Sequence, residues 1–250
     1  MNSRYVLLVV CDVEDWSSRP AVAQQRIQVA LSGLMNRALT RIGIDGSTVP
    51  RGRRGDGMIL ALPGTMDKAR VTTTLVDAVR ECLFSYAIDA GDDEQIRLRL
   101  VLHAGEVVVG DGEFAGGSVV QACRLVDSHV TRQVLNASRG APVVLAVSDD
   151  WYRATAGEGY VPKTGFEQVT VQEKSFRETA WIKVPGLSSV PGLTDDDRAV
   201  APPARLRASQ GDRHGIPFIG SIGKVEGDIV HGDKNGSVTH RTVYYGRTAE

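Results

Sequence analysis

The sequence predicts an α+β fold: a ferredoxin-like sheet covered by helices, then a flexible linker and a short C-terminal extension. Three observations predict it. Tyr5–Cys11 is a continuous apolar run rich in β-branched residues, which suits a central strand buried on both faces. Ile27, Ala30, Leu31, Leu34, Ala38, Leu39 and Ile42 recur at helical spacing, and Ala69, Thr72, Leu75, Val76, Val79, Leu83 and Tyr86 do so again. Between these two helices, the polar, Gly-rich stretch Arg51–Gly57 precedes the apolar Met58–Leu62, the pattern of a β-hairpin.

The remaining elements follow in order. Pro20 opens the first helix and Gly43 stops it. Thr65 is the expected cap of the second. Ile96–Leu102 reads as a strand, with Val107–Val109 as a separate short extended piece inside the loop from Gly105 to Gly117. Helices are expected from Ser118 to Ser128 and from Thr131 to Ala137, then a strand over Pro142–Val147. Phe166–Val171 and Thr179–Val184 form a last hairpin, with Trp181 as its core anchor. The order β-α-β-β-α-β is that of the split βαβ arrangement, which many unrelated proteins share.

Composition bounds the function. The chain has 250 residues, 42% hydrophobic and 24% charged, with 29 Lys and Arg against 30 Asp and Glu. A net charge near zero argues against a dedicated nucleic-acid or membrane-surface binder. Cys11, Cys82 and Cys123 lie far apart and read as buried free thiols of a reducing, cytoplasmic protein. The first apolar run is too short to span a membrane. Residues 1–186 are expected as one domain, 187–214 as a Pro- and Asp-rich linker, and 215–250 as a Gly-Asp-rich extension. That extension reads as a β-ribbon or as disordered, with recruitment of a protein partner as one role for it.

Asp12 directly follows the buried run, and Asp56 lies in the hairpin tip, Arg53-Arg-Gly-Asp-Gly57. A carboxylate at the mouth of a central strand and another on a neighbouring hairpin can converge on a divalent ion, the rest of its shell being water and phosphate oxygens. Asp in a Gly-rich turn is also a routine hairpin residue. Asp12 needs a partner wherever it is buried. Glu14 and Glu106 read as surface or turn residues, with outer-shell hydrogen bonds to water or an arginine as the alternative for both, and His103 reads as a structural residue at a strand end.

These blocks resemble the catalytic domain of class III adenylate/guanylate cyclases, and in particular a divergent actinobacterial-type group that keeps Arg-Gly-Asp-Gly. Asp12-Val13 with Trp16-Ser17 is similar to the first motif, Gly55-Asp56 to the second, Arg99–Gly110 to the strand-and-loop signature, and Ser118–Leu125 to the helix that follows. The resemblance covers roughly residues 1–185. It implies two Mg²⁺ or Mn²⁺ ions held by Asp12, Val13 and Asp56, and a nucleoside triphosphate converted to a 3′,5′-cyclic nucleotide and pyrophosphate. It further implies Arg124 as the arginine stabilising the pentavalent phosphate, and a homodimer sharing its sites. Departures are visible. The family's Asn falls at Val120, beside Gln121; its purine-selecting Lys falls at Gly52, between Arg51 and Arg53; and that lysine's Asp partner falls near Gly117. Arg51, Arg53, Gly117 and Gln121 are therefore the expected nucleotide contacts, and a pyrimidine base is as plausible as a purine. Cyclic-nucleotide signalling, including defence signalling, is the implied role. The alternative is a catalytically inactive nucleotide-sensing or partner-recruiting module.

Overall fold

β1 (Ser3–Val13) is the spine of the molecule, and its sequence explains why. Leu7, Val9, Cys11 and Val13 face one side and Val6, Leu8 and Val10 the other, all essentially inaccessible to solvent. A strand apolar on both faces must be central. The computed structural model describes residues 3–110, 113–173 and 176–198, with the short segments Val230–Gly232 and Val238–His240.

α1 (Ala21–Arg41) follows, with Pro20 at its N-cap, and leads to the hairpin of β2 (Arg51–Arg54) and β3 (Gly57–Pro63). The next helix is one continuous rod: α2 (Lys68–Arg70), a π-type turn over Val71–Leu75, and α3 (Val76–Asp89). Asp67, not Thr65, caps it, its carboxylate accepting from the Ala69 amide at 2.8 Å. β4 (Leu98–Val109) runs unbroken, so the expected separate piece at Val107–Val109 is its far end, held straight by pairing with β1 and with β5 (Phe114–Ala115). α4 (Gly117–Val126), α5 (His129–Ala137, capped by Ser128) and β6 (Val143–Ser148) follow. α6 (Asp149–Tyr152), not foreseen in the sequence, precedes the hairpin of β7 (Glu167–Glu173) and β8 (Phe176–Lys183).

The sheet order is β2-β3-β1-β4-β6-β8-β7, antiparallel except for β4 against β6. Its first four strands and two helices reproduce the ferredoxin-like order. α1, α3 and α6 cover one face and α4 with α5 the other, giving two apolar clusters. Trp151 is the fully buried indole, donating to Thr72 Oγ1 at 2.8 Å. Trp181, expected as the anchor, is only partly buried and stacks on Tyr152 with ring centroids 3.5 Å apart. None of the three cysteines forms a disulfide; Cys11 is buried, which pushes its thiol up to about 12, and Cys82 and Cys123 are half-buried.

Residues just past the expected domain boundary still pack. Val190 is buried, and the Thr170 amide donates to the Asp197 carbonyl at 2.9 Å. The contacts divide the chain at residues 201 and 202. In the second unit Val230–Gly232 pairs antiparallel with Val238–His240; the rest of the expected extension lies outside the described residues. Among the described residues no helix is long and apolar enough to cross a membrane.

His103 lies in mid-strand rather than at a strand end. It is buried, with Nδ1 2.8 Å from Ser148 Oγ. Burial lowers its pKa, with Asp150 opposing and Lys68 adding to the shift. Over the interval below its ordinary value of 6.5 the unfolded chain therefore binds more protons than the folded one. Stability should be intact above that value and fall as pH drops through it. Urea titrations should show this slope, and His103→Gln should flatten it; an unchanged slope would assign the effect elsewhere.

Candidate active site

The end of β1 and the tip of the β2–β3 hairpin meet because of register. Asp12 pairs with Gly57 on β3 and with Arg99 on β4. The next amide, Val13, donates to the Asp56 carbonyl at 3.0 Å, which fixes the hairpin tip against the strand end. Gly57 is required there: a Cβ would lie 2.3 Å from the Cys11 carbonyl oxygen. Gln28 of α1 holds the tip from the other side, its Nε2 donating to the Gly55 carbonyl at 3.2 Å.

Asp12 is 5% exposed and points to the α4/α5 face, opposite Cys11 and Val13. Its Oδ2 forms an ion pair with Arg99, itself 8% exposed. The partner that Asp12 demanded is thus Arg99, supplied by β4. Sequence reasoning missed this role; the period of two, which puts Arg99 on the same face as Val101 and His103, was the signal available. Val13 buries its side chain in the first core, so only its backbone can serve a ligand. Asp56 is half-buried at the tip.

Glu14 is not a surface residue. It is buried, and Arg97 Nη1 donates to its Oε2 at 2.7 Å, the arginine partner given as its alternative. Burial pushes its carboxyl above the ordinary range, and the Arg97 charge opposes that. Glu106 is exposed, as expected.

The expected nucleotide contacts divide by strand alternation. Gly52 pairs with Ile59 and shares its face, the one Asp12 uses. Arg51 and Arg53, paired with Leu60 and Met58, belong to the opposite face. Arg51 donates to Asn36 Oδ1 at 2.9 Å and to the Gly46 carbonyl, tying β2 to the end of α1. The structure does not bring it to Asp12. Arg53 is exposed and shares a shallow recess with Asp56, Trp16 and Gln28.

The α4 residues lie elsewhere. Arg124 is exposed, its guanidinium 5.0 Å from the Phe176 ring centre. Arg99 is level with Val144, and Leu145 with Lys183, so Phe176 is eight residues along β8 from the level of Asp12. That is roughly 25 Å of strand, with two strands between β1 and β8. Gln121 donates to Glu178 on the same stretch of β8. Gly117 starts α4 beside Gly116, whose Cβ would lie 3.1 Å from the Glu106 carbonyl, far along β4 from Arg99. Within one chain, then, Asp12, Val13 and Asp56 sit together, and Arg124, Gln121 and Gly117 do not join them.

Two carboxylates and a backbone carbonyl are hard oxygen donors gathered where the strand end meets the hairpin tip, so these residues fit a divalent cation. Among the described residues no group of three or more His, Cys, Asp or Glu side chains gathers, so water and phosphate would have to complete the shell. A cation here would replace Arg99 as the counter-charge of Asp12.

The chain has the fold of class III adenylate/guanylate cyclase catalytic domains, by its likeness to solved structures. An adenylate/guanylate cyclase/hydrolase from Silicibacter pomeroyi is 19% identical over 75% of this chain and 100% of its own, with a TM-score of 0.52. The guanylyl cyclase Cya2 is 16% identical over 79% and 98%, at 0.51. A bacterial light-regulated adenylyl cyclase is 14% identical over 74% and 92%, at 0.50. No protein-family model and no curated protein matches the sequence.

Proposed function

We propose that the chain is a metal-dependent nucleotidyl cyclase acting as a homodimer. The observation that carries this reading is the split of the chemistry: a carboxylate pair at one end of the sheet, and an exposed arginine over Phe176 at the other. Such halves combine only when a second copy brings its Arg124 to this chain's Asp12 and Asp56.

In this reading Asp12, the Val13 carbonyl and Asp56 hold Mg²⁺ or Mn²⁺. When bound, such ions lower the pKa of the ribose 3′-hydroxyl and polarise the α-phosphate. Arg99, released from Asp12, finds a replacement anion in the incoming triphosphate. Arg124 of the second copy neutralises charge developing at the α-phosphoryl group, worth about 3 kcal/mol for a well-placed donor. Gly52 offers no side chain for base recognition on the site face, and Arg51 is committed elsewhere. That favours a base recognised from α4 of the second copy, through the backbone at Gly117 and a Gln121 released from Glu178, and leaves pyrimidines eligible. A soluble cytoplasmic signalling role, including defence, fits this product. Incubation with each of the four ribonucleoside triphosphates and Mn²⁺ tests the proposal: one or more should give a cyclic product and pyrophosphate. No product from any of them overturns it.

One observation favours a second reading. Asp12 already has a buried counter-charge, and Val120 stands exposed where a polar side chain would serve the ribose. An inactive nucleotide sensor would bind a non-hydrolysable triphosphate saturably without turnover.

A further inference from the structure

Beyond the carboxylate site, one cleft combines unpaired charge with apolar walls. It lies between α3 and the turn joining α5 to β6, has a volume of about 340 Å³, and is closed at one side by the chain leaving β8. That volume falls within the ~300–1,000 Å³ of small-molecule sites. Arg80 and Arg139 line it, no Asp or Glu does, and neither arginine makes an ion pair among the described residues. Arg80 is half-buried, and its guanidinium carbon lies 5.1 Å from the Phe84 ring centre. Gly186, at φ +93°, lets the backbone close on that guanidinium: a Cβ there would lie 3.0 Å from Nη2. The guanidinium thus packs between the Phe84 ring and the Gly186 backbone. Ser138, also in the wall, has a buried Oγ without a hydrogen-bond partner. A partly desolvated cation without a counter-ion is costly, and an anion would relieve the cost.

We propose that this cleft binds a small anion carrying one flat ring. The anionic group sits between Arg80 and Arg139, and the ring lies against Phe84 and Pro142. An aryl carboxylate and a mononucleotide share this chemistry. The site is connected to the carboxylates by Arg97. Its Nε donates to the Ala141 carbonyl at 3.2 Å and its Nη2 to the Ser138 carbonyl at 3.0 Å, while Nη1 holds Glu14, two residues from Asp12.

Calorimetry on the full chain with salicylate, with cytidine 5′-monophosphate, with neutral benzyl alcohol and with inorganic phosphate tests it. At least one ring anion should bind saturably, and the tighter of the two names the source. Benzyl alcohol and phosphate should each bind at least about tenfold more weakly, lacking the charge or the ring. Arg80→Gln should weaken binding at least about tenfold. Gly140→Glu should do the same by supplying an internal carboxylate, and it is tolerated because nothing lies within 4 Å of a Cβ at that position. No saturable binding up to about 10 mM overturns the proposal. So does binding that both variants leave intact, or phosphate binding as tightly as the ring anions. The proposal does not rest on cyclase activity, so either can fail without the other.

Discussion

Asp56→Ala should lower cyclic-nucleotide formation by at least about 100-fold while leaving the folded chain intact. The separation follows from where Asp56 sits. Its structural contribution is its backbone carbonyl, which accepts from the Val13 amide and survives the substitution. Its side chain is half-buried at a hairpin tip, and such replacements usually change stability by less than about 0.5 kcal/mol. Turnover with Mn²⁺ and a thermal melt, measured on the same preparation, check both halves. A variant that melts normally and turns over normally removes Asp56 from the chemistry. A second outcome, lost activity with a collapsed melt, would make the hairpin tip a folding element instead.

Arg99→Met should destabilise the fold by about 3–5 kcal/mol, because Asp12 is left as a buried charge without its counter-ion. Asp12→Asn in the same chain should recover much of the loss, since removing both charges removes the desolvation problem as well. Denaturant melts of the two single variants and the double variant give the coupling directly. The pair also reports on metal binding without any assay of turnover. In Arg99→Met the carboxylate is free for a cation, so Mn²⁺ should raise the melting temperature of this variant more than that of the parent chain. If Mn²⁺ moves neither, Asp12 and Asp56 do not hold a metal, and the inactive reading gains.

Much of the architecture was legible because it rests on local periodicity. The spine strand, both long helices and the hairpin follow from patterns of two and 3.6, and the meeting of Asp12 with Asp56 follows from them. What escaped depends on partners distant in sequence. Arg99 lies 87 residues beyond Asp12, and only the β1–β4 register reveals that they share a face. Trp151 and Trp181 look alike as large apolar residues, but Trp151 sits at the sheet–helix junction beneath Thr72, whereas Trp181 has a stacked ring over it and a rim to solvent. Glu14 was placed at the surface or in a turn because its burial depends on Arg97, which arrives from the segment leading into β4. Arg51 escaped for a different reason: strand alternation puts it on the face opposite Gly52, where it donates to Asn36 and to the Gly46 carbonyl, whereas Arg53, of the same parity, lines the recess beside Asp56.

The position of Arg124 over Phe176 has a consequence for inheritance and damage. In the proposed homodimer, a two-fold pair would hold two reaction centres, each built from the carboxylates of one copy and the arginine of the other. A chain with a ruined hairpin tip would then still lend a sound arginine to its neighbour. Two chains broken at opposite ends of the sheet would share one intact centre between them, and a population of mixed copies would retain what neither lineage carries alone.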